Sequence, residues 1–376
     1  MNVAVVGVGA FGRNHARVYQ QLEQQGEPVR LLGVVDRDVT RADSVAREFG
    51  CRAFGSLEQL VTTHSEVQAA SVTVPTVHHL EAARSLMSAG VDVLIEKPLV
   101  TSLAEADELI ALAQANRRIA QVGHLERFNP AVRATIPLLT QPMFFEVHRL
   151  SVFTPRALDV DVVLDLMIHD LDIVLSFVKS PVKEVRAVGL AILSGKPDIA
   201  NVRLEFASGC VANFTASRVS TERIRKLRFF QPRQYISVDY GRQDVLAFTV
   251  GDDPGAGATP SVNPQIGMVK PPVTGEEPLH AELKSFLAAV RDRSVPVVPL
   301  EDGRRALALA LEIVDHIHRH GDKINLEKLA GACALAVQRA TALVTNLYKS
   351  LLGPPTKPDL VLITGMHPLS CTTPDV

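Results

Sequence analysis

Met1-Asn2-Val3-Ala4-Val5-Val6-Gly7-Val8-Gly9-Ala10-Phe11-Gly12 opens the chain and decides its fold. Met1 to Val6 is a short apolar run that reads as a strand, and Arg13 to Gln24 has the composition of a helix. G-x-G-x-x-G lies between them, and strand, glycine turn and helix in that order give the motif its meaning. Gly7 permits the tight turn, Gly9 lets the backbone approach a pyrophosphate, and Gly12 lets the helix settle on the strand, with Ala10 and Phe11 between. The free N–H groups and partial positive charge at the helix start favour a diphosphate there.

Outward from this turn, Leu31 to Val35 forms a second strand that ends at Asp36. A carboxylate at that place accepts hydrogen bonds from ribose hydroxyls and repels a 2′-phosphate, which predicts NAD in preference to NADP. Arg37 is the next residue, and an arginine beside this position is also able to meet a phosphate. Ala69 to Val74 reads as a third strand leading into Thr73-Val74-Pro75, and His78 and His79 open a helix that Gly90 stops. Val91 to Ile95 is a fourth strand closing with Glu96-Lys97-Pro98, and after a helix over Leu103 to Asn116 comes the strand Ile119 to Val122. Strands alternating with helices imply a doubly wound parallel sheet whose ligand lies beyond the carboxyl ends of the strands. Gly7, Asp36, Pro75 and Lys97 stand at such ends, with Thr73, His79 and Glu96 beside them as further cofactor-binding candidates.

The pattern changes after Gly123. His124 to Pro130 begins a helical connector, Phe144 to Leu150 is strand-like, and Val160 to Val178 is a helix. Six strand-like runs follow between Val185 and Val250, with turn signals between them. Hairpin spacing predicts an open, mostly antiparallel sheet backed by the preceding helix, an α+β arrangement. Asp252 to Gly275 is rich in Pro and Gly and reads as a long loop, helices resume at Pro278 to Arg291 and Asp302 to His320, and Leu326 to Leu352 is a further amphipathic candidate. The expected organisation is α/β over residues 1–122, α+β over 123–326, and a helix with an extended tail over 327–376.

The chain of 376 residues carries a net charge of −2, which speaks against a partner held by bulk charge such as nucleic acid. Its four cysteines are scattered, with no C-x-x-C pair, so neither a disulfide framework nor a zinc site is suggested. The first residues are already used as a strand and lack the basic start of a signal peptide, and no apolar run reaches the length of a membrane span. These features predict a soluble cytoplasmic protein with no bound metal.

Three side chains could carry chemistry. A lysine at a strand terminus is usually a solvated one, but the strand before Lys97 points it at the cofactor crevice, where an ammonium stabilises a developing alkoxide. Asp165 and His169, four apart on a helix, share one face and fit a neutral imidazole taking a proton beside an orienting carboxylate. Asp170 and Asp172 fall on other faces and read as caps or solvated groups. His124, with Arg127 and Asn129 beside it, is a candidate for substrate contact. Arg218, Arg223, Arg225, Lys226 and Arg228 make a basic run that is either a solvated strand face or a docking surface for an anionic substrate, with Arg225 and Lys226 as its candidate contacts.

Taken together, Gly7-x-Gly9-x-x-Gly12, Thr73-Val74-Pro75 with His79, Glu96-Lys97-Pro98 and Asp165-x-x-x-His169 resemble the motifs of the Gfo/Idh/MocA oxidoreductases over about residues 1 to 320. The resemblance implies that Lys97, Asp165 and His169 are the catalytic group and that the second domain's sheet binds substrate and supports a homodimer or homotetramer. Gly123 to Pro130 and Leu164 to Asp170 are most similar to the subfamily of UDP-N-acetylglucosamine 3-dehydrogenases. That implies NAD-dependent oxidation of the C3 hydroxyl of a UDP-N-acetylhexosamine, ahead of a PLP-dependent aminotransferase making the 3-amino sugar of lipid A. The rivals are the same chemistry on a UDP-N-acetylglucosaminuronate, an inositol or a free sugar, and a silent NAD-sensing regulator.

Overall fold

The computed structural model describes residues 1–153, 160–251 and 266–324. From the amino end run β1 (Asn2–Val6), α1 (Ala10–Gln24), β2 (Arg30–Val35), α2 (Val39–Phe49), β3 (Arg52–Phe54), α3 (Leu57–Thr63), β4 (Ala69–Val72), α4 (His79–Ser88), β5 (Asp92–Glu96), α5 (Leu103–Ala115) and β6 (Ala120–Gly123). The strands form a six-stranded sheet in the order β3-β2-β1-β4-β5-β6, every pair parallel. The order reverses between β1 and β4, which opens the crevice of a doubly wound sheet above Gly7. The glycine turn, the parallel sheet and the helix stop at Gly90 (φ +85°) follow the expected pattern. Two elements add to the expected set: α2, which Asp38 and Gly50 cap in a way the sequence does signal, and β3, whose three residues leave no periodic signal.

After Gly123 come α6 (Pro130–Thr135), β7 (Phe144–Val152), a π-helical turn at Val163–Met167 running into α7 (Ile168–Phe177), β8 (Val182–Leu190), β9 (Ile199–Phe206), β10 (Val211–Ser220), β11 (Ile224–Gln231), β12 (Gln234–Asp239), β13 (Asp244–Val250), β14 (Ile266–Val269), α8 (Pro278–Asp292) and α9 (Leu300–Ile324). The second sheet has eight strands in the order β14-β13-β12-β11-β7-β10-β9-β8. β7 and β10 pair parallel and the other described pairs antiparallel, the mostly antiparallel sheet expected. β14 lies inside the stretch read as loop, where it adds an edge strand to β13. The helix and tail expected over 327–376 lie outside the described residues.

Residues 1–320 form one unit with three apolar centres. The α1 and α2 side of the first sheet is closed by Leu279, Leu283, Phe286 and Val290 of α8, so the chain returns to its first core after building the second sheet. On the other side lie α3, α4 and α5. The inner face of the second sheet (Phe145, Val147, Phe214, Leu227, Phe229) packs on Ile168, Leu171 and Val174 of α7 and on Ala310 and Ile313 of α9. A fully buried side chain of this size contributes about 1.5–3 kcal/mol. Packing of this kind on both sides of α7 holds its first turn against the carboxyl edge of the parallel sheet.

Candidate active site

Gly7 adopts φ +89°, and a Cβ there would stand 2.7 Å from the backbone nitrogen of Val74. A Cβ on Gly12 would stand 1.9 Å from the carbonyl oxygen of Gly7, so only glycine allows α1 to lie this close to β1. Gly9 meets nothing within 4 Å, and α1 begins there with no side chain capping its first N–H groups. Thr73 Oγ1 donates to the Gly7 carbonyl at 2.5 Å and braces the turn from β4. Asp36 accepts from the Val8 backbone N–H at 2.9 Å and from the Asp38 N–H at 3.0 Å. Gly7, Gly9, Asp36, Arg37, Thr73 and Pro75 all line one cavity of about 770 Å³. An open glycine, unclaimed helix N–H groups and a carboxylate at the tip of β2 fit a dinucleotide, with the diphosphate at Gly9–Gly12 and the adenosine ribose at Asp36. Arg41, absent from the sequence reading, also lines this cavity and stands 3.4 Å from Asp36. Ala10 and Phe11 form the first turn of α1, with Phe11 exposed.

At the next strand end, Lys97 turns toward the π-helical turn. Its Nζ donates to the backbone carbonyl of Asp165 at 2.7 Å and lies 3.5 Å from Asp165 Oδ1. Burial lowers the Lys97 ammonium from its ordinary pKa, while Asp165 and Glu96 oppose that shift. His169, one turn further on, is held well below the ordinary histidine value, first by burial and then by the positive charges of Lys97, Arg149, His124 and Arg225. Its Nδ1 has no hydrogen-bond partner among the described residues. The result is a neutral imidazole beside an ammonium that a carboxylate steadies, the pairing needed to remove a proton from a hydroxyl and hold the charge left on oxygen.

His124 is buried within this field with both ring nitrogens unpartnered among the described residues, which leaves it free to bond a ligand. Arg225 is exposed on the inner face of β11, opposite Arg149 and within electrostatic reach of His169.

Several sequence candidates are engaged elsewhere. His79 is buried, its Nδ1 near the carbonyls of Pro98 and Leu99 and its Nε2 near that of Val74, so it ties the Lys97 loop to the end of β4. Glu96 has Oε1 3.1 Å from His15 Nε2 and its carboxylate against Gly123, and its Oε2 accepts from the Lys97 backbone N–H at 3.3 Å. Arg127 is gripped by Asp172 at 2.6 and 2.8 Å and by Asp302 at 3.1 Å, and Asn129 caps α6 while bonding Glu126 and the Tyr240 carbonyl. Neither is free for substrate. Asp170 and Asp172, read as caps or solvated groups, are buried partners of Arg149 and Arg127.

The basic run also divides. Lys226 lies on the outer face of β11 with Nζ 3.8 Å from Asp239, and Arg218 is buried on Asp198. Strand alternation puts Arg225 and Lys226 on opposite faces, a signal the sequence carries. His15, missed in the sequence, was detectable as one of an inward-facing set with Ala16, Tyr19 and Leu22 on α1.

Residues 1–124 match the family model described as "Oxidoreductase family, NAD-binding Rossmann fold", and residues 141–236 match "GFO/IDH/MocA C-terminal domain". The chain belongs to the Gfo/Idh/MocA family. It is thus an NAD-binding oxidoreductase. Within the family it is 38% identical over 314 residues to a UDP-N-acetylglucosamine 3-dehydrogenase of Acidithiobacillus ferrooxidans, covering 83% of this chain and 96% of that one. A solved structure of that species' enzyme superposes with a TM-score of 0.76 at 36% identity, over 84% of this chain and 97% of the other. An inositol 2-dehydrogenase of Rubrobacter xylanophilus is 29% identical over 195 residues, half of this chain and 55% of the relative. Among the described residues no group of His, Cys, Asp and Glu is placed to hold a metal, and no helix is long and apolar enough to cross a membrane.

Proposed function

We propose that this Gfo/Idh/MocA member oxidises the C3 hydroxyl of UDP-N-acetylglucosamine to the ketone with NAD⁺. The observation that carries the reading is the meeting of Lys97 with Asp165, beside a neutral His169, in a chain similar over 83% of its length to a UDP-N-acetylglucosamine 3-dehydrogenase. Lys97 donates to the substrate oxygen and stabilises the charge that gathers there. His169 accepts the hydroxyl proton, and Asp165 steadies Lys97. His124 contributes a hydrogen bond from beneath, and Arg225 draws the anionic end of the substrate to the mouth of the site. NAD⁺, when bound along Gly7–Gly12 with its ribose at Asp36, supplies the acceptor for the hydride from the same carbon.

The product, a 3-keto sugar nucleotide, suits a PLP-dependent aminotransferase as the next step toward a 3-amino sugar for lipid A. We assign the enzyme to the cytoplasm. We also read it as a homodimer or homotetramer through the outer face of the second sheet. That face carries a row of rings, Phe144–Phe230, Phe230–Tyr235 and Tyr235–Phe248, with centroids 5.7, 5.0 and 5.9 Å apart, and exposes Phe230, Val188, Leu190 and Met268. An apolar surface of this extent marks an interaction site.

The test is NADH formation across UDP-N-acetylglucosamine, UDP-N-acetylglucosaminuronate, glucose and myo-inositol. Turnover of UDP-N-acetylglucosamine above the others, with deuterium passing from C3 of labelled substrate into NADH, is the expected result. Faster turnover of myo-inositol, or label passing only from another carbon, overturns the reading.

A further inference from the structure

A buried chain of polar groups runs behind the catalytic lysine. Tyr19 OH lies 2.9 Å from Ser71 Oγ, Ser71 Oγ lies 3.0 Å from His15 Nδ1, and His15 Nε2 lies 3.1 Å from Glu96 Oε1. The other carboxylate oxygen, Glu96 Oε2, accepts from the backbone N–H of Lys97 at 3.3 Å. His15, Tyr19 and Ser71 are fully buried, and Glu96 nearly so. A carboxylate only accepts, so His15 Nε2 carries the ring proton. Nδ1 then accepts from Ser71, and Ser71 accepts from Tyr19. Every proton in the chain points toward Glu96.

The two ends of this chain matter to the reaction. His15 and Tyr19 belong to α1, the helix whose first turn is the dinucleotide cradle, and Glu96 immediately precedes Lys97. We propose that His15 is a positioning residue: through Glu96 it sets the place and charge of Lys97 relative to the cofactor helix. This rests on the assignment of Lys97 to the reaction given above.

Lys97 faces Glu96 from its own strand end, Asp165 from the π-helical turn, His169 from α7, His124 from beyond β6 and Arg149 from β7. Glu96 faces His15 from α1, His79 from α4 and His124 from beyond β6. It also faces Glu282, a fully buried carboxyl on α8 without a hydrogen-bond partner among the described residues, which burial and the charge of Glu96 hold well above the usual carboxylate range. Without His15, Glu96 Oε1 loses its donor in a dry site. The carboxylate then moves or gives up its charge, and Lys97 is left with Asp165 as its near counter-charge. The lysine therefore loses its proton at lower pH.

The experiment uses the full chain and reads the amine directly. The pH dependence of trace acetylation at Lys97, followed by mass spectrometry, is compared in the parent, His15→Leu, His15→Gln and Ser71→Ala. His15→Leu is expected to lower the half-reaction pH by about half a unit or more, with the shift partly reversed in His15→Gln, whose amide still donates to Glu96. In a second arm, kcat with NAD and UDP-N-acetylglucosamine falls about tenfold in His15→Leu, the alkaline limb moves the same way, and KM for NAD is unchanged. If His15→Leu does not fold, Ser71→Ala, which removes the donor to Nδ1, is expected to give the same shift at smaller size. A lowered melting temperature with Lys97 titrating as in the parent overturns the inference. A parent that does not turn over UDP-N-acetylglucosamine removes the substrate reading, while the acetylation arm still decides this one.

Discussion

Lys97 Nζ bonds the main-chain carbonyl of Asp165 at 2.7 Å and stands 3.5 Å from the carboxylate of the same residue. The carbonyl belongs to a π-helical turn, where the wider winding departs from the regular i to i+4 ladder and is often found at functional sites. One backbone and one side-chain oxygen thus fix the direction of the ammonium. Lys97→Met is expected to lower kcat by about 10²–10⁴-fold while the dissociation constant for NAD stays within about threefold, read by rapid kinetics and calorimetry. Lys97→Arg is not expected to restore activity, because a planar fork does not replace a point charge in this pocket. Unaltered turnover in Lys97→Met would remove the lysine from the mechanism.

His169 gives a pH signature. A base must be unprotonated to work, so activity falls as the pH drops through its pKa. Burial, with the positive charges of Lys97, Arg149, His124 and Arg225, holds His169 well below the ordinary value. The acid limb of kcat/KM is therefore expected below about pH 6.5, and His169→Asn should abolish turnover with NAD still bound. An acid limb near or above that ordinary value would mean that another group takes the proton.

Much of this was legible because the informative signals were local. Gly7, Gly9, Gly12 and Asp36 are tied to a strand–turn–helix whose order along the chain is its order in space. Lys97 was legible for the same reason, as a residue at the end of an apolar strand. The ion pairs of Arg127, Asp170 and Asp172 were not legible because the partners lie far along the chain: Arg127 meets Asp172 and Asp302, and Arg149 meets both Glu126 and Asp170. Helical spacing says which residues share a face, and it does not say which distant charge covers that face. His79 shows the converse, a histidine beside a cofactor crevice whose ring is spent on three backbone carbonyls.

Asp36 governs the choice of cofactor through its neighbours. Its carboxylate holds the Val8 N–H and stands 3.4 Å from Arg41 in a cavity that Arg37 also lines. Asp36→Ser removes the acceptor for the ribose hydroxyls and frees Arg41 to meet a 2′-phosphate. The expected result is about 10–100-fold weaker NAD binding, the worth of one charge-assisted hydrogen bond, and a gain for NADP, measured by titration with both reduced cofactors. Equal losses for the two would show that the arginines do not reach the phosphate.

The last prediction concerns the ion cluster beneath the site. Arg149 bonds Asp170 at 2.6 and 2.9 Å and Glu126 at 3.0 Å, and its guanidinium carbon lies 5.2 Å from the centre of the Tyr240 ring. Arg149, Asp170 and Tyr240 are all nearly closed to solvent. Removing only the cation strands two carboxylates in an apolar setting, so Arg149→Met should destabilise the protein by about 3–5 kcal/mol in denaturant unfolding. The pair Arg149→Met with Asp170→Leu takes out the Arg149–Asp170 ion pair and should recover part of that loss, because desolvating an ion pair costs nearly what the pair returns, while Glu126 is left with the Asn129 amide. Function should not recover with stability. Arg149 is one of the positive charges that keep the His169 imidazole neutral, and without it the acid limb should move upward in pH even in the stable double variant. A double variant that regains stability and keeps the parent's acid limb would show that the cluster serves the fold alone.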